Sequence, residues 1–256
     1  MDHRRWEYRD TMALLHRAAL QLPAAEIRPV MDLARSKGGY VVDDIINTNA
    51  FGVLLGGQDH SALYLDVSRL NHACKPNMFS RFSSATLAME VVAYRDIAAG
   101  EELTFSYTPL NLPSEPRQSL LREWGFNCTC ALCASARETA ASDRRRARLQ
   151  VLLEELDQPR VRTRAGVGAR VDEILALCDR EGLAAQVGDV YAIVADVYAA
   201  MGDLPLARRY GERAVAELTH YAGHDHERTR NAVAFLAKLG AEAGAQVDRG
   251  GKGKVS

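Results

Sequence analysis

Residues 71–77 read NHACKPN, and residues 126–134 read FNCTCALCA; four of the chain's five cysteines lie in these two stretches. The second stretch places three sulfurs, Cys128, Cys130 and Cys133, within six residues. Zinc in a closed structural site takes four ligands in a tetrahedron, so a CxCxxC cluster needs one more. Cys74, Cys178 and histidines such as His60 and His72 are the candidates. Cys74 is preferred because it sits in a loop punctuated by Pro76. Cys178, in VDEILALCDR, falls on a helical apolar stripe and reads as a core residue. If Cys74 joins the three, the chain between 74 and 128 must fold around their meeting.

Bulk properties narrow the setting. The chain has 256 residues, enough for one large domain or two modest ones, and 47 % apolar with 25 % charged residues is ordinary for a globular protein. A net charge of −1, from 32 basic and 33 acidic residues, gives no overall pull toward nucleic acid or a membrane surface. No apolar run approaches the roughly 18 to 20 residues that span a bilayer. The charged start MDHRRWEYRD is not followed by an apolar signal core. An odd number of cysteines without a secretory signal argues for metal binding or plain burial over disulfides. An intracellular location, nuclear or cytoplasmic, is expected.

Along the chain, helical periodicity covers 4–20 and about 23–37, the latter ending at Gly38-Gly39. From Asp43 the character becomes β-rich, with runs at 62–66, 78–83, 87–94 and 102–107. Residues 114–124 read as a helix capped by Ser114. After Cys133 the chain is helical. The basic stretch DRRRARL at 143–149 is read as a solvated face opening the first helix. A Pro/Gly/Arg-rich connector follows at 158–168, then helices at about 169–181, 187–201, 205–221 and 226–244. Small residues at 192, 195, 207 and 214, with Tyr198, a Gly-Asp turn at 202–203 and Pro205, resemble one tetratricopeptide helical pair.

Four motifs in order, NTNAF at 47–51, RLNHACKPN at 69–77, GEELTFSY at 100–107 and CTCALC at 128–133, resemble the catalytic half of a SET-domain protein lysine methyltransferase. The SET- and MYND-containing branch and the related fungal SET proteins are the nearest variety. The resemblance covers about 43–135. It implies an α+β fold: a β-rich SET-type core with a knot-like crossing and a post-SET zinc site, followed by an all-α tetratricopeptide-like domain. The implied division is a helical segment at 1–42, the SET core with its zinc motif at 43–135, the helical domain at 136–246 and a disordered tail at 247–256.

Roles follow from the same resemblance. Asn49, Asn71, His72 and Phe126 would contact S-adenosylmethionine, with Phe126 stacked on the adenine. Tyr107 would be the catalytic tyrosine, also touching the cofactor, and Phe105 either lines the lysine channel or packs the core. Cys74, Cys128, Cys130 and Cys133 would hold one structural Zn2+. The substrate would be a lysine of a protein or peptide, histone or not. No nucleic acid or membrane partner is expected, and the helical domain could carry a protein partner. The family's Gly-x-Gly strand element is not recognisable, Ala73 replaces the family's serine, and five cysteines are too few for an added MYND module. A second reading therefore stands beside the enzyme: an inactive, truncated SET and helical-repeat protein that serves as an interaction scaffold.

Overall fold

The computed structural model describes residues 13–251, with side chains to residue 241. The protein is α+β, with a β-rich part packed on a larger helical part. Residues 13–20 form a helix (α1), followed by α2 (Ala24–Met31) and α3 (Val41–Asn49). Trp6 and Met12, in the expected 4–20 helix, lie outside the described residues. The second expected helix stops at Met31, and α3 replaces an expected β-rich start; its Ile45 is fully buried. Asp44 anchors that helix to the preceding loop. Its Oδ1 accepts from the N–H groups of Ser36 (3.0 Å) and Lys37 (2.8 Å) and from Thr48 Oγ1 (3.1 Å). The boundary expected at 42/43 thus falls inside a helix.

Among the described residues, six short strands make three pairs: β1 (Phe51–Leu55), β2 (Gln58–Ala62), β3 (Asn71–His72), β4 (Met78–Phe82), β5 (Met89–Ala93) and β6 (Thr104–Phe105). β1 and β2 are antiparallel, joined through Gly56 and Gly57 at φ 58° and 80°. Two successive positive φ values are what a tight two-residue hairpin turn requires, and glycine takes them without a Cβ clash. The expected strand at 62–66 is therefore displaced to 58–62. β4 and β5 pair antiparallel where the sequence placed them. β3 and β6 are parallel, with Asn71 opposite Thr104 and His72 opposite Phe105.

α4 (Ser114–Leu121) continues into a 3-10 turn at Arg122–Trp124, which Gly125 ends at φ 79°. Ser114 does not cap it; its hydroxyl donates to Asp143 instead. α5 (Ala136–Leu156) begins earlier than expected, with Ser135 Oγ accepting from the Glu138 N–H. The basic stretch 143–149 is therefore mid-helix, and it is not simply a solvated face. Arg146 is wholly buried, on one stripe with Ser142, Leu149, Leu152 and Leu156. α6 (Arg164–Glu181), α7 (Ala184–Ala200), α8 (Leu204–Tyr221) and α9 (Glu227–Gly251) complete the chain. α6 takes in part of the expected connector, and α9 takes in the first residues of the expected tail. Residues 252–256 lie outside the described residues.

The larger core is helical, built on Leu152, Leu156, Val167, Ile174, Val194 and Tyr198, and Cys178 lies within it as expected. α7 and α8 approach closely because Ala195, Ala207 and Ala214 are small and buried. Gly188 allows the same approach: a Cβ there would sit 2.8 Å from Leu218 Cγ. The two parts meet through directed contacts. Lys75 Nζ donates to the Arg180 carbonyl (2.6 Å) in the last turn of α6, and Arg81 donates to the Thr219 carbonyl (3.0 Å). Tyr94 and Tyr221 pack at 5.6 Å.

Candidate active site and metal centre

A cleft of about 730 Å³ opens between the α2–α3 region and the strand ends. Asn49, Ser68, Asn71, Tyr107, Trp124 and Phe126 all line it. Asn49 ends α3, where its amide nitrogen donates to the carbonyls of Ile45 and Ala34, both at 2.7 Å. Its own carbonyl accepts from Ser68 Oγ (3.1 Å). Asn71 stands at the start of β3 and donates to Glu102 Oε1 (2.7 Å). Trp124 donates from Nε1 to the Thr48 carbonyl (3.1 Å), with Lys37 Nζ 4.3 Å from its ring centre.

Tyr107 follows β6 at the junction of the cleft and the cysteine cluster. Its hydroxyl donates to the Leu70 carbonyl at 2.8 Å. Its ring lies 5.1 Å from Phe105, 5.6 Å from Trp124 and 6.3 Å from Phe126. Burial, then the negative charge of Glu102, raises its phenol above the ordinary value. Phe105 is buried and also packs on Phe51 at 5.8 Å.

His72 is turned away from the larger cleft. Its Nδ1 accepts from the Tyr107 N–H (3.0 Å), and its Nε2 lies 3.3 Å from Cys74 Sγ. An acceptor Nδ1 assigns the proton of the neutral ring to Nε2, which then donates to sulfur. Burial lowers this imidazole to about 4, which keeps it neutral near pH 7.

Cys74, Cys128, Cys130 and Cys133 converge so that their sulfurs all lie within 4.8 Å of one another. Cys74 is 3.8 Å from Cys128 and 3.6 Å from Cys133. Ligands about 2.3 Å from a tetrahedral zinc are separated by about 3.8 Å, so the donor set matches that ion in number, element and spacing. Interaction with Cys74 holds the Cys130 thiol well below its ordinary value, while the same pairing and burial push Cys74 up. Gln118, on α4, clasps the Cys128 backbone with both amide atoms, at 2.9 and 3.0 Å.

The structure thus gathers Asn49, Asn71, Tyr107 and Phe126 on one cleft and the four cysteines in one cluster, with His72 between. Ser68 and Trp124 were not singled out from sequence. Ser68 has a weak signal, three residues before Asn71; Trp124 reads simply as a core aromatic beside Phe126. A second cavity of about 420 Å³ lies against the helical part and shares Ser80, Phe105 and Ser106 with the first.

Comparison with known proteins gives a consistent picture. Residues 7–108 match the SET domain family model. N-lysine methyltransferase SMYD2 of Gallus gallus is 28% identical over 221 residues, covering 76% of this chain and 48% of that protein. Histone-lysine N-methyltransferase SMYD3 of Homo sapiens is 33% identical over 111 residues, 43% of this chain and 24% of that protein. Histone-lysine N-methyltransferase SET5 of Meyerozyma guilliermondii is 46% identical over 76 residues, 28% of this chain and 16% of that protein. The chain spans about half or less of the length of these relatives.

Proposed function

We propose, from the premise that this chain carries a SET domain and is related to the SET-domain protein-lysine methyltransferases, that it methylates a lysine of a protein or peptide using S-adenosylmethionine. The observation that carries this is the joint position of Asn49, Asn71, Tyr107 and Phe126 on the 730 Å³ cleft. That volume falls in the range of small-molecule sites, and its lining combines aromatic faces with a few directed polar groups. The cofactor would supply a methyl group on a positively charged sulfur. Phe126 would face the adenine, and Asn49 and Asn71 would bind the polar part. His72 would act here through the Tyr107 backbone, because its own ring nitrogens are committed elsewhere.

The chain's task is alignment more than acid–base chemistry, since holding two reactants in line lowers a barrier by several kcal/mol. The acceptor amine must be neutral to attack, and a dry approach lowers a lysine's pKa. What supports an approach from the second cavity is its shared wall at Phe105 and Ser106. Tyr107, on the wall of the first cleft, would orient the amine with its hydroxyl.

The four cysteines would hold one structural Zn2+, and in doing so fix Phe126 over the cleft. The parallel pairing of 71–72 with 104–105 supports the knot-like crossing, and the small-residue seam of α7 and α8 supports a tetratricopeptide-like helical pair. These readings support a helical domain from about 136 and a SET core that reaches N-terminal of residue 43, since the family match begins at residue 7 and α3 crosses that boundary.

Calorimetric titration with S-adenosylmethionine tests the proposal, and no heat of binding at millimolar cofactor refutes it for this chain. Tyr107→Phe keeps the ring contacts and removes the hydroxyl. It is expected to lower methyl transfer by about 10²-fold or more, with cofactor affinity changed only a few-fold. A variant with undiminished transfer would remove Tyr107 from the mechanism.

A further inference from the structure

Beside the cysteine cluster lie more buried positive charges than the protein's own carboxylates match. Arg117, on α4, has no exposure; Nη1 donates to the Leu112 carbonyl, and Nε and Nη2 have no partner among the described residues. Arg146, on α5, is also wholly buried. It donates to the carbonyls of Leu110, Leu112 (3.1 Å) and Cys74 (3.2 Å), and pairs with Glu181 at 2.9 Å. Arg145 shares the same Glu181 from the other side. Two wholly buried guanidinium groups thus stand beside one buried carboxylate, which the partly exposed Arg145 also shares, and one buried positive charge is left over. A charge removed from water without a counter-charge is strongly unfavourable, so a buried excess calls for a partner.

That partner is adjacent. Four thiolates around one divalent cation carry two negative charges in total, opposite in sign to the excess. Arg146 bonds the carbonyl of Cys74 itself, and Arg117 precedes Gln118, which clasps Cys128. Leu121, one turn along α4 from Arg117, packs in one buried cluster with Cys74 and Cys128.

We propose that Arg117 and Arg146 are the counter-charge of a four-thiolate zinc centre, so that metal loading and closure of the seam with α5 and α6 stabilise each other. This rests on the zinc reading above. The two arginines are positioning residues that touch neither cofactor nor substrate. The metal-free chain carries an uncompensated buried charge, and the loaded chain does not.

The test is a zinc titration of the full chain against a chromogenic chelator, with thermal melts of the loaded and metal-free forms. Arg117→Met is expected to weaken zinc binding by about 10- to 100-fold. It should also raise the melting temperature of the metal-free form, because a charge with no partner is gone. Arg117→Lys should restore most of the affinity. Zinc binding by Arg117→Met as tight as wild type overturns the proposal, as does equal weakening by Arg117→Lys, which would point to shape instead of charge. If Arg117→Met fails to fold, Glu181→Gln decides. Removing that negative charge should tighten zinc binding, whereas weaker binding overturns the proposal. A wild-type chain that takes up no zinc overturns the metal reading together with this one; unchanged variants on a zinc-binding chain overturn this one alone.

Discussion

Asp225→Asn cuts a tie between the β4–β5 hairpin and the turn before α9. One oxygen of Asp225 accepts from Ser83 Oγ (3.1 Å), Ser84 Oγ (3.1 Å) and the Ala85 N–H (3.0 Å). Burial alone would raise this carboxyl; those donors overcome it and bring it from 3.8 to about 2. At about 1.4 kcal/mol per pKa unit the shift has a ceiling near 2.5 kcal/mol. Ser84 and Ala85 are exposed, and screening reduces the contribution to about 1 kcal/mol. The sign is that of a depressed carboxylate: its stabilisation is full above the unfolded value and is lost as pH falls from about 4 to about 2. Urea denaturation at pH 7 should therefore show Asp225→Asn less stable by about 1 kcal/mol, with the gap narrowing at about pH 3. A variant as stable as wild type at pH 7, or a gap that widens on acidification, refutes the reasoning.

Gly188→Ala tests the seam between α7 and α8. The new Cβ would lie 2.8 Å from Leu218 Cγ and 3.1 Å from its backbone nitrogen, which cannot swing aside. Overpacking of about 1–3 kcal/mol should outweigh a helix-propensity gain of about 1 kcal/mol, so urea denaturation should show a net loss; a more stable variant refutes the close approach. Zinc removal by a chelator should release the cysteine segment while leaving α6–α8 folded. Hydrogen exchange should show the Cys128 amide losing protection, with the amides around Val194 unchanged. Equal loss at both, or none at Cys128, counts against the metal as the local organiser. At free zinc about 1,000-fold above its dissociation constant the ion contributes about 4 kcal/mol, and Cys74→Ser should forfeit most of it.

Much of the candidate site was legible because its chemistry is concentrated in short motifs. Four cysteines of matching donor type are visible as letters, and the fold brings all four within 4.8 Å. β4 and β5 were legible from β-branched and aromatic runs. α3 was not, because Val41-Val42 and Ile45-Ile46 read as strand formers, and the bonds that fix the helix come from Ser36 and Lys37 outside it. The β1–β2 register was set by the Gly56-Gly57 turn, which alternation further along the chain does not reveal. Arg146 looked solvated because its neighbours are basic. Its place on one stripe with Leu149, Leu152 and Leu156 was the available sign that a charge was going inside.

The cysteine cluster and the cleft are parts of one hydrogen-bonded chain. Cys74 sulfur meets His72 Nε2, His72 Nδ1 takes the Tyr107 N–H, and the Tyr107 hydroxyl reaches the Leu70 carbonyl. An imidazole can serve both neighbours at once only as the neutral Nε2–H form, and burial is what keeps it neutral. A sulfur bearing negative charge strengthens the bond to Nε2–H, and greater electron density on the ring strengthens acceptance at Nδ1. The state of the cysteines is thereby transmitted to the backbone of Tyr107. Arg146, through the Cys74 carbonyl, extends that chain outward to Glu181 in α6. The residues that hold the tyrosine in register are thus spread over α4, α5 and α6 as well as the strands, which explains why the β-rich part is built against the helices and carries so little apolar core of its own.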